Sequence, residues 1–299
     1  MQPPAHAALV EADGSLRPDS SRATVPWWSF TKTLIAACAL RLAEDGRLEL
    51  DKLREGAPYT LRMLLQHRAG VGNYGDLPAY HQAVAAGGEP WTDDELFAHV
   101  PPDRPLFAPE AGWAYSNVGY LLVRRAVEQA GGAPLAELLR SLVLQPLGLE
   151  RARLASGRAD MADTVFPSGW GYHPGWAFHG IVVGPVAEAA LALHRLLNGD
   201  LLCPRRLAEM LTRHPLGGAL PDRPWLTTGY GLGLMMGTMQ HPAGGPPIAV
   251  AGHSAGGAGS YGAVYREGGP QWGRTAAVFT AGENEYRAEF LAVAALAGI

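Results

Sequence analysis

The chain of 299 residues carries 24 Lys and Arg against 28 Asp and Glu, a net charge of -4, and 47% of its residues are hydrophobic. A chain this long buries about three quarters of its unfolded surface, and its charged fraction of 17% lies below the ~25% of an ordinary soluble domain, which excludes charge-driven disorder. The balance leaves no basic footprint for nucleic acid, no polybasic membrane signal and no apolar run near the ~18 residues of a spanning helix.

Met1 to Val10 has no basic stretch followed by an apolar one, so a cytoplasmic protein without a secretory leader is the expectation. Asp13-Gly14 predicts a short N-terminal hairpin after Ala7-Ala8-Leu9-Val10. A helix is expected from Ser29 to Gly46, with Leu34, Ile35, Cys38 and Leu42 on one face. Thr60 reads as the cap of a short helix carrying Leu61, Leu64 and Leu65 and closed by Gly70; Thr92 with Asp93, Asp94 and Glu95 opens another. Further helices follow at Val118–Gln129, Pro134–Leu144 and Pro185–Leu197, with the Trp-, Gly- and His-rich stretch Gly169–Gly184 read as loop.

The character then changes. Tyr230–Met236, Ile248–Ala251, Gly259–Arg266 and Arg274–Thr280 read as strands, and Glu285–Ala297 as a closing helix. Helices in the middle and strands at both ends predict an α+β fold. The expectation is one domain over residues 1–299, with an α/β lobe near 1–60 and 200–299 and a helical lobe near 61–199. Two cysteines, Cys38 and Cys203, make no disulfide framework and are expected to be buried thiols. No metal spacing joins His67, His173, His179 and His194, so no metal or other cofactor is expected.

Two nucleophile motifs compete. Gly252-His253-Ser254-Ala255-Gly256 fits G-x-S-x-G, yet no histidine follows Ser254 and a glycine run stands where a helix should start, so the elbow reading fails. Ser29-Phe30-Thr31-Lys32 is an S-x-x-K at a helix start, which puts the amine on the serine's side of the helix. A serine needs a neighbouring base, and a desolvated lysine can be one where arginine cannot. Only Lys32 and Lys52 are lysines in a chain with 22 arginines.

Tyr115-Ser116-Asn117 and His253-Ser254-Ala255-Gly256 follow in order. With them the sequence resembles the penicillin-recognising serine hydrolases: class C β-lactamases, DD-peptidases, D-aminopeptidases and related esterases. Their motifs are S-x-x-K, Y-x-N and K/H-T/S-G. Leu64–Val71 is similar to the family's LLTHTSGL segment, Phe107–Tyr120 to its F-x-P-G…Y-S-N-x-G-Y segment, and Gln145–Leu149 to its PLGM. The resemblance implies a β-lactamase/transpeptidase-like fold, an antiparallel sheet from both chain ends with a helical lobe inserted. It also implies a serine hydrolase working through an acyl-enzyme on small esters, amides or D-amino-acid peptides. Ser29 would be the nucleophile, Lys32 its activator and Tyr115 a proton shuttle. Asn117 would hold Lys32 or the substrate, and His253 would stand near Tyr115. The backbone N–H groups of Ser29 and Gly256 would form the oxyanion hole, with Trp28 and Ser254 as substrate contacts.

Three departures qualify that picture. Ala255 stands where the family has glycine, His253 where most β-lactamases have lysine, and the segment before Ser29 is short. A neutral histidine binds a β-lactam carboxylate poorly, so weak or no β-lactamase activity is expected. The alternatives are a catalytically inactive ligand-binding protein of the same fold, or a true β-lactamase or DD-peptidase.

Overall fold

A computed structural model describes residues 4–54, 56–269, 272–282, 284 and 286–299. Its strands are β1 (Ala5–Val10), β2 (Thr24–Pro26), β3 (Arg153–Leu154), β4 (Val182–Pro185), β5 (His214–Gly217), β6 (Trp225–Tyr230), β7 (Met235–Met239), β8 (Ile248–Gly257), β9 (Ser260–Glu267) and β10 (Thr275–Ala281). The helices are α1 (Thr31–Glu44), α2 (Leu61–Leu65), α3 (Pro78–Ala85), α4 (Asp93–His99), α5 (Asn117–Gly131), α6 (Leu135–Leu139), α7 (Arg158–Ala162), α8 (Val186–Asn198), α9 (Pro204–Met210) and α10 (Arg287–Ala297).

Seven strands form an antiparallel sheet in the order β1-β10-β9-β8-β7-β6-β5, while β2, β4 and β3 make a small second sheet. The fold is thus α+β, with the main sheet drawn from both chain ends. Beside it, α10 covers one face over a core of Leu9, Val250, Tyr265 and Val278. The other face packs on α8 and on the large core that contains α1.

The sequence reading placed one face of α1 inward. In fact every residue from Thr31 to Ala43 except Arg41 is buried. Ala36, Ala37, Cys38 and Ala39 are small enough to let neighbours approach from all sides, so the helix runs through the interior as an all-round apolar helix does. It begins after a single 3₁₀ turn, Trp28–Phe30, so Ser29 precedes the α-helix proper. Thr60 caps α2 by accepting from Met63 N–H, but the helix stops at Leu65, before Gly70. Thr92 and Glu95 form a reciprocal capping box on α4.

Other boundaries shift for identifiable reasons. Tyr230–Met236 is two strands, because Gly233 adopts φ +73 and reverses the chain between β6 and β7. The N-terminal hairpin reduces to one bridge, Val10 to Leu16, with β1 pairing along β10 instead. Pro134–Leu144 is α6 followed by one π-helical stretch, Arg140–Leu144. Val182–Pro185, read as loop, is β4. The helix α8, assigned to the helical lobe, packs on β1, β9 and β10, because its amphipathic face needs the sheet. Glu285, the expected start of the last helix, lies outside the described residues. Cys38 is buried as expected, whereas Cys203 is exposed ahead of Pro204 at the α9 start.

Candidate active site

The α1 entry holds the first two polar groups. Trp28 has φ +40, a conformation that is strained for a bulky side chain and costs about 1–3 kcal/mol. Tertiary contacts hold it there: its Nε1–H donates to Ser260 Oγ at 2.9 Å, and its ring meets Tyr172 edge-on at 5.5 Å. A Cβ on Gly257 would lie 2.4 Å from the Trp28 ring, so glycine is what lets β8 approach the indole. Trp28 therefore presents Ser29 at the floor of a cleft of about 1010 Å³.

Ser29 Oγ lies in hydrogen-bond contact with Lys32 Nζ at 3.1 Å and accepts from Tyr115 O–H at 2.9 Å. Lys32 is fully buried, and its second polar neighbour is His179 Nε2, also at 3.1 Å. Among the described residues no carboxylate pairs with Lys32. Burial therefore lowers its pKa well below the lysine range, toward the neutral amine. Burial likewise pushes the Tyr115 hydroxyl upward, so it is a neutral donor. Tyr115 is set by the turn into α5, where Ser116 Oγ caps the helix at Gly119 N–H and donates to Gly72 O.

His253 lies near Tyr115, ring centres 6.3 Å apart, but its Nε2 bonds Tyr230 O–H at 2.9 Å. Its Nδ1 faces the Ser254 carbonyl, which can only accept, so the neutral ring carries its proton on Nδ1. Burial, then the charge Lys32 would carry when protonated, lowers the His253 pKa to about 3. His67 stacks on Tyr115 with centres 4.4 Å apart and accepts Ser116 N–H on Nδ1. Burial, then Lys32 and His253, holds it well below the histidine range.

Asn117 and Ser254 both line the cleft, but the Asn117–Lys32 contact does not form. The Asn117 backbone N–H goes to Asn73 Oδ1 and its side chain is not on Lys32, whose amine is engaged by Ser29 and His179. Ser254 sits one residue from His253, so the strand alternation turns its side chain to the opposite face. There Ser254 Oγ bonds Tyr265 O–H at 2.6 Å and the Glu289 carboxylate. Its backbone is better placed: β7 pairing ends at Gly252, and Ser254 N–H points past that end to Met235 Sδ. By the same alternation Gly256 N–H lies on that strand-free edge. Ala255 is buried beside His253, while glycine is required one and two residues later: a Gly256 Cβ would meet the Tyr261 ring at 2.7 Å. His179 and Tyr230 carried no motif and were not assigned to the site; nothing in the loop's composition separated His179 from a surface histidine.

The rest of the cleft is mostly aromatic and apolar, with Tyr74, Tyr80, Trp113, Tyr172 and Ile181 on its walls. Arg223 reaches it already bound to Glu289. Among the described residues no three metal-binding side chains are grouped, and no helix is long and apolar enough to cross a membrane.

Comparison with known proteins bears on the same chain. It is 31% identical over 152 residues to esterase EstB of Burkholderia gladioli, covering 44% of this chain and 38% of the esterase. It is 28% identical over 145 residues to penicillin-binding protein 4* of Bacillus subtilis (strain 168), covering 44% of this chain and 30% of that protein. The matched part is thus well under half of either relative's length. Among solved structures, a D-stereospecific amidohydrolase from Streptomyces sp. superposes with a TM-score of 0.77 at 24% identity, over 97% of this chain and 94% of that one. The D-amino acid amidase of Ochrobactrum anthropi SV3 gives 0.75 at 22% identity, over 93% and 88%. These likenesses establish the fold. The family described as Beta-lactamase matches residues 8–298. With that match over nearly its whole length and the same architecture in these structures, the chain belongs to the beta-lactamase family.

Proposed function

We propose that this protein is a serine hydrolase that acylates Ser29 with small esters or amides that carry no carboxylate. The observation that carries the reading is the pair of hydrogen bonds converging on Ser29 Oγ from a buried lysine and a buried tyrosine. In the acylation step the Ser29 hydroxyl proton passes to Lys32 Nζ while the Oγ electron pair attacks the carbonyl carbon. The carbonyl π pair moves onto its oxygen, which the N–H groups of Ser29 and Gly256 stabilise. Collapse expels the alcohol or amine, which takes the proton that Lys32 Nζ gained, passed on through the Tyr115 hydroxyl. Water then releases the acid by the same steps in reverse order.

The cleft chemistry supports substrates without a carboxylate. Arg223 is committed to Glu289 and His253 is neutral, so among the described residues lining the cleft a β-lactam carboxylate would meet no available cation of the lysine kind. The aromatic walls suit an apolar or aromatic acyl group or side chain. The esterase and the D-amino acid amidase among the related proteins support esters and amino-acid amides as the first substrates to try.

The test is intact mass and peptide mapping after exposure to a fluorophosphonate probe. One label on Ser29, absent in Ser29→Ala, is the expected result. A label on Ser254 instead, or none at all, overturns the reading. Turnover of p-nitrophenyl esters and D-amino-acid amides then ranks the substrate classes.

A further inference from the structure

Being neutral is not enough for Lys32 to take a proton. An amine accepts only along its lone pair, and an –NH₂ group bonded to Ser29 alone could as well turn an N–H toward Oγ. We propose that His179 is a positioning residue: its Nε2 accepts one Lys32 N–H and so turns the amine lone pair toward Ser29 Oγ. This rests on the hydrolase reading above.

The distances fit a relay with Lys32 in the middle, 3.1 Å from Ser29 Oγ and 3.1 Å from His179 Nε2. Both His179 and Lys32 are buried, so solvent does not compete for the amine. The fold ties the loop that carries the ring to the segment that carries the nucleophile. His179 lies just ahead of β4, and β4 pairs with β2, the strand that leads into the Trp28–Phe30 turn. Trp27 N–H donates to Val182 O at 2.8 Å, and Val182 N–H donates to Thr31 Oγ1 at 2.9 Å, inside the Ser29-Phe30-Thr31-Lys32 motif itself. The loop that carries His179 is thereby tied to the segment that carries Ser29 and Lys32.

The ring chemistry agrees. Among the described residues His179 Nδ1 has no hydrogen-bond partner, so none of them on the far side imposes the tautomer that would make Nε2 a donor. The titratable and charged groups facing the ring are Lys32 from α1, Arg124 from α5, His253 from β8 and His67 from the segment after α2, and a positive charge on any of them disfavours its protonation. Burial and that company keep the ring neutral, with Nε2 available as an acceptor. When Ser29 gives up its proton, the new Lys32 ammonium has three N–H groups, and His179 Nε2 accepts one of them.

The experiment compares His179→Gln with His179→Asn. The two are both neutral, polar and non-titrating, but the Gln amide oxygen can stand where Nε2 stands and the Asn oxygen falls short of it. The rate of fluorophosphonate labelling of Ser29 is followed from about pH 5 to 10 by intact mass, with thermal unfolding confirming that each variant is folded. His179→Asn should label about ten- to a hundred-fold more slowly at the plateau, at most the lower end of the ~10²–10⁴-fold that a positioned base contributes. Its acid limb should also move to lower pH, because an ammonium that has lost an acceptor is a stronger acid. His179→Gln should keep the wild-type limb and most of the rate. Equal rates and limbs in all three proteins overturn the proposal. So does a slower plateau with an unmoved limb in both variants, which would mark His179 as packing alone. Wild-type protein that labels elsewhere or not at all fails the hydrolase reading first, a result separable from any difference among His179 variants.

Discussion

His253 and Ser254 are neighbours on β8, and they open onto two opposite kinds of polar interior. On the His253 side stand Lys32, His67 and His179, buried bases with no carboxylate bonded to Lys32, so burial drives them toward their neutral forms. On the Ser254 side a fully buried carboxylate, Glu289, is compensated by Arg223, by Trp225 Nε1–H and by Ser254 Oγ. The contrast separates two uses of desolvation. Where charge is paired, burial makes a brace that ties α10 and the 223–225 segment to β8. Where it is unpaired, burial makes reactive neutral bases.

The widest separation between the two regions should come from Lys32. Lys32→Arg and Lys32→Ala are both expected to slow Ser29 labelling by about 10²–10⁴-fold, since a fixed charge cannot accept a proton. An arginine variant that keeps most of the rate would remove Lys32 from the role of base. Neither change should reproduce the next effect, which belongs to the other face. Glu289→Ala removes the buried carboxylate shared by Arg223, Trp225 and Ser254 and should cost about 3–5 kcal/mol in chemical denaturation. Replacing both partners, Glu289→Leu with Arg223→Met, should recover most of that loss, because an apolar pair of similar volume is often no less stable than a buried ion pair.

Gly257→Ala tests the junction between the faces and the nucleophile. Its Cβ would press on the Trp28 ring from 2.4 Å, so Trp28 must shift or β8 must bend. A stability loss of about 1–3 kcal/mol is expected, with a fall in Ser29 labelling that exceeds what the unfolded fraction explains. A variant with reduced stability and an unchanged labelling rate would show that the strained Trp28 does not govern Ser29.

The smallest effect is in pH. His194, bonded to Thr275 Oγ1, has its pKa lowered by burial to about 4, and His253 to about 3. Below the ordinary histidine value of about 6.5 the unfolded chain binds protons that the folded one refuses. The stability these histidines contribute is therefore complete above about pH 6.5 and declines as pH falls toward 4. The urea midpoint should drop between pH 7 and 5 and be flat between 7 and 8; a midpoint that rises on acidification would contradict both shifts.

Much of this was legible before any coordinates. The S-x-x-K spacing is local, so the helical period alone brings Lys32 beside Ser29, and the caps at Thr60 and Thr92 are written in side chains that satisfy their own helix ends. The strands β8 to β10 announce themselves through β-formers bounded by glycine. The two-strand split at Gly233 was hidden because Tyr230–Met236 has no polar turn cluster, only the glycine itself.

What the sequence determined by itself is therefore whatever depends on short-range periodicity: the family motifs, the order of helices and strands, and the Ser29–Lys32 pair. Tertiary structure alone decided which face of β8 each residue of His253-Ser254-Ala255-Gly256 occupies, since four small or ambivalent residues carry no apolar alternation to read. It also decided that Lys32 meets His179 rather than Asn117. A loop histidine 147 positions away along the chain reaches the amine through the pairing of β2 with β4, and no local rule encodes a contact set by strand register.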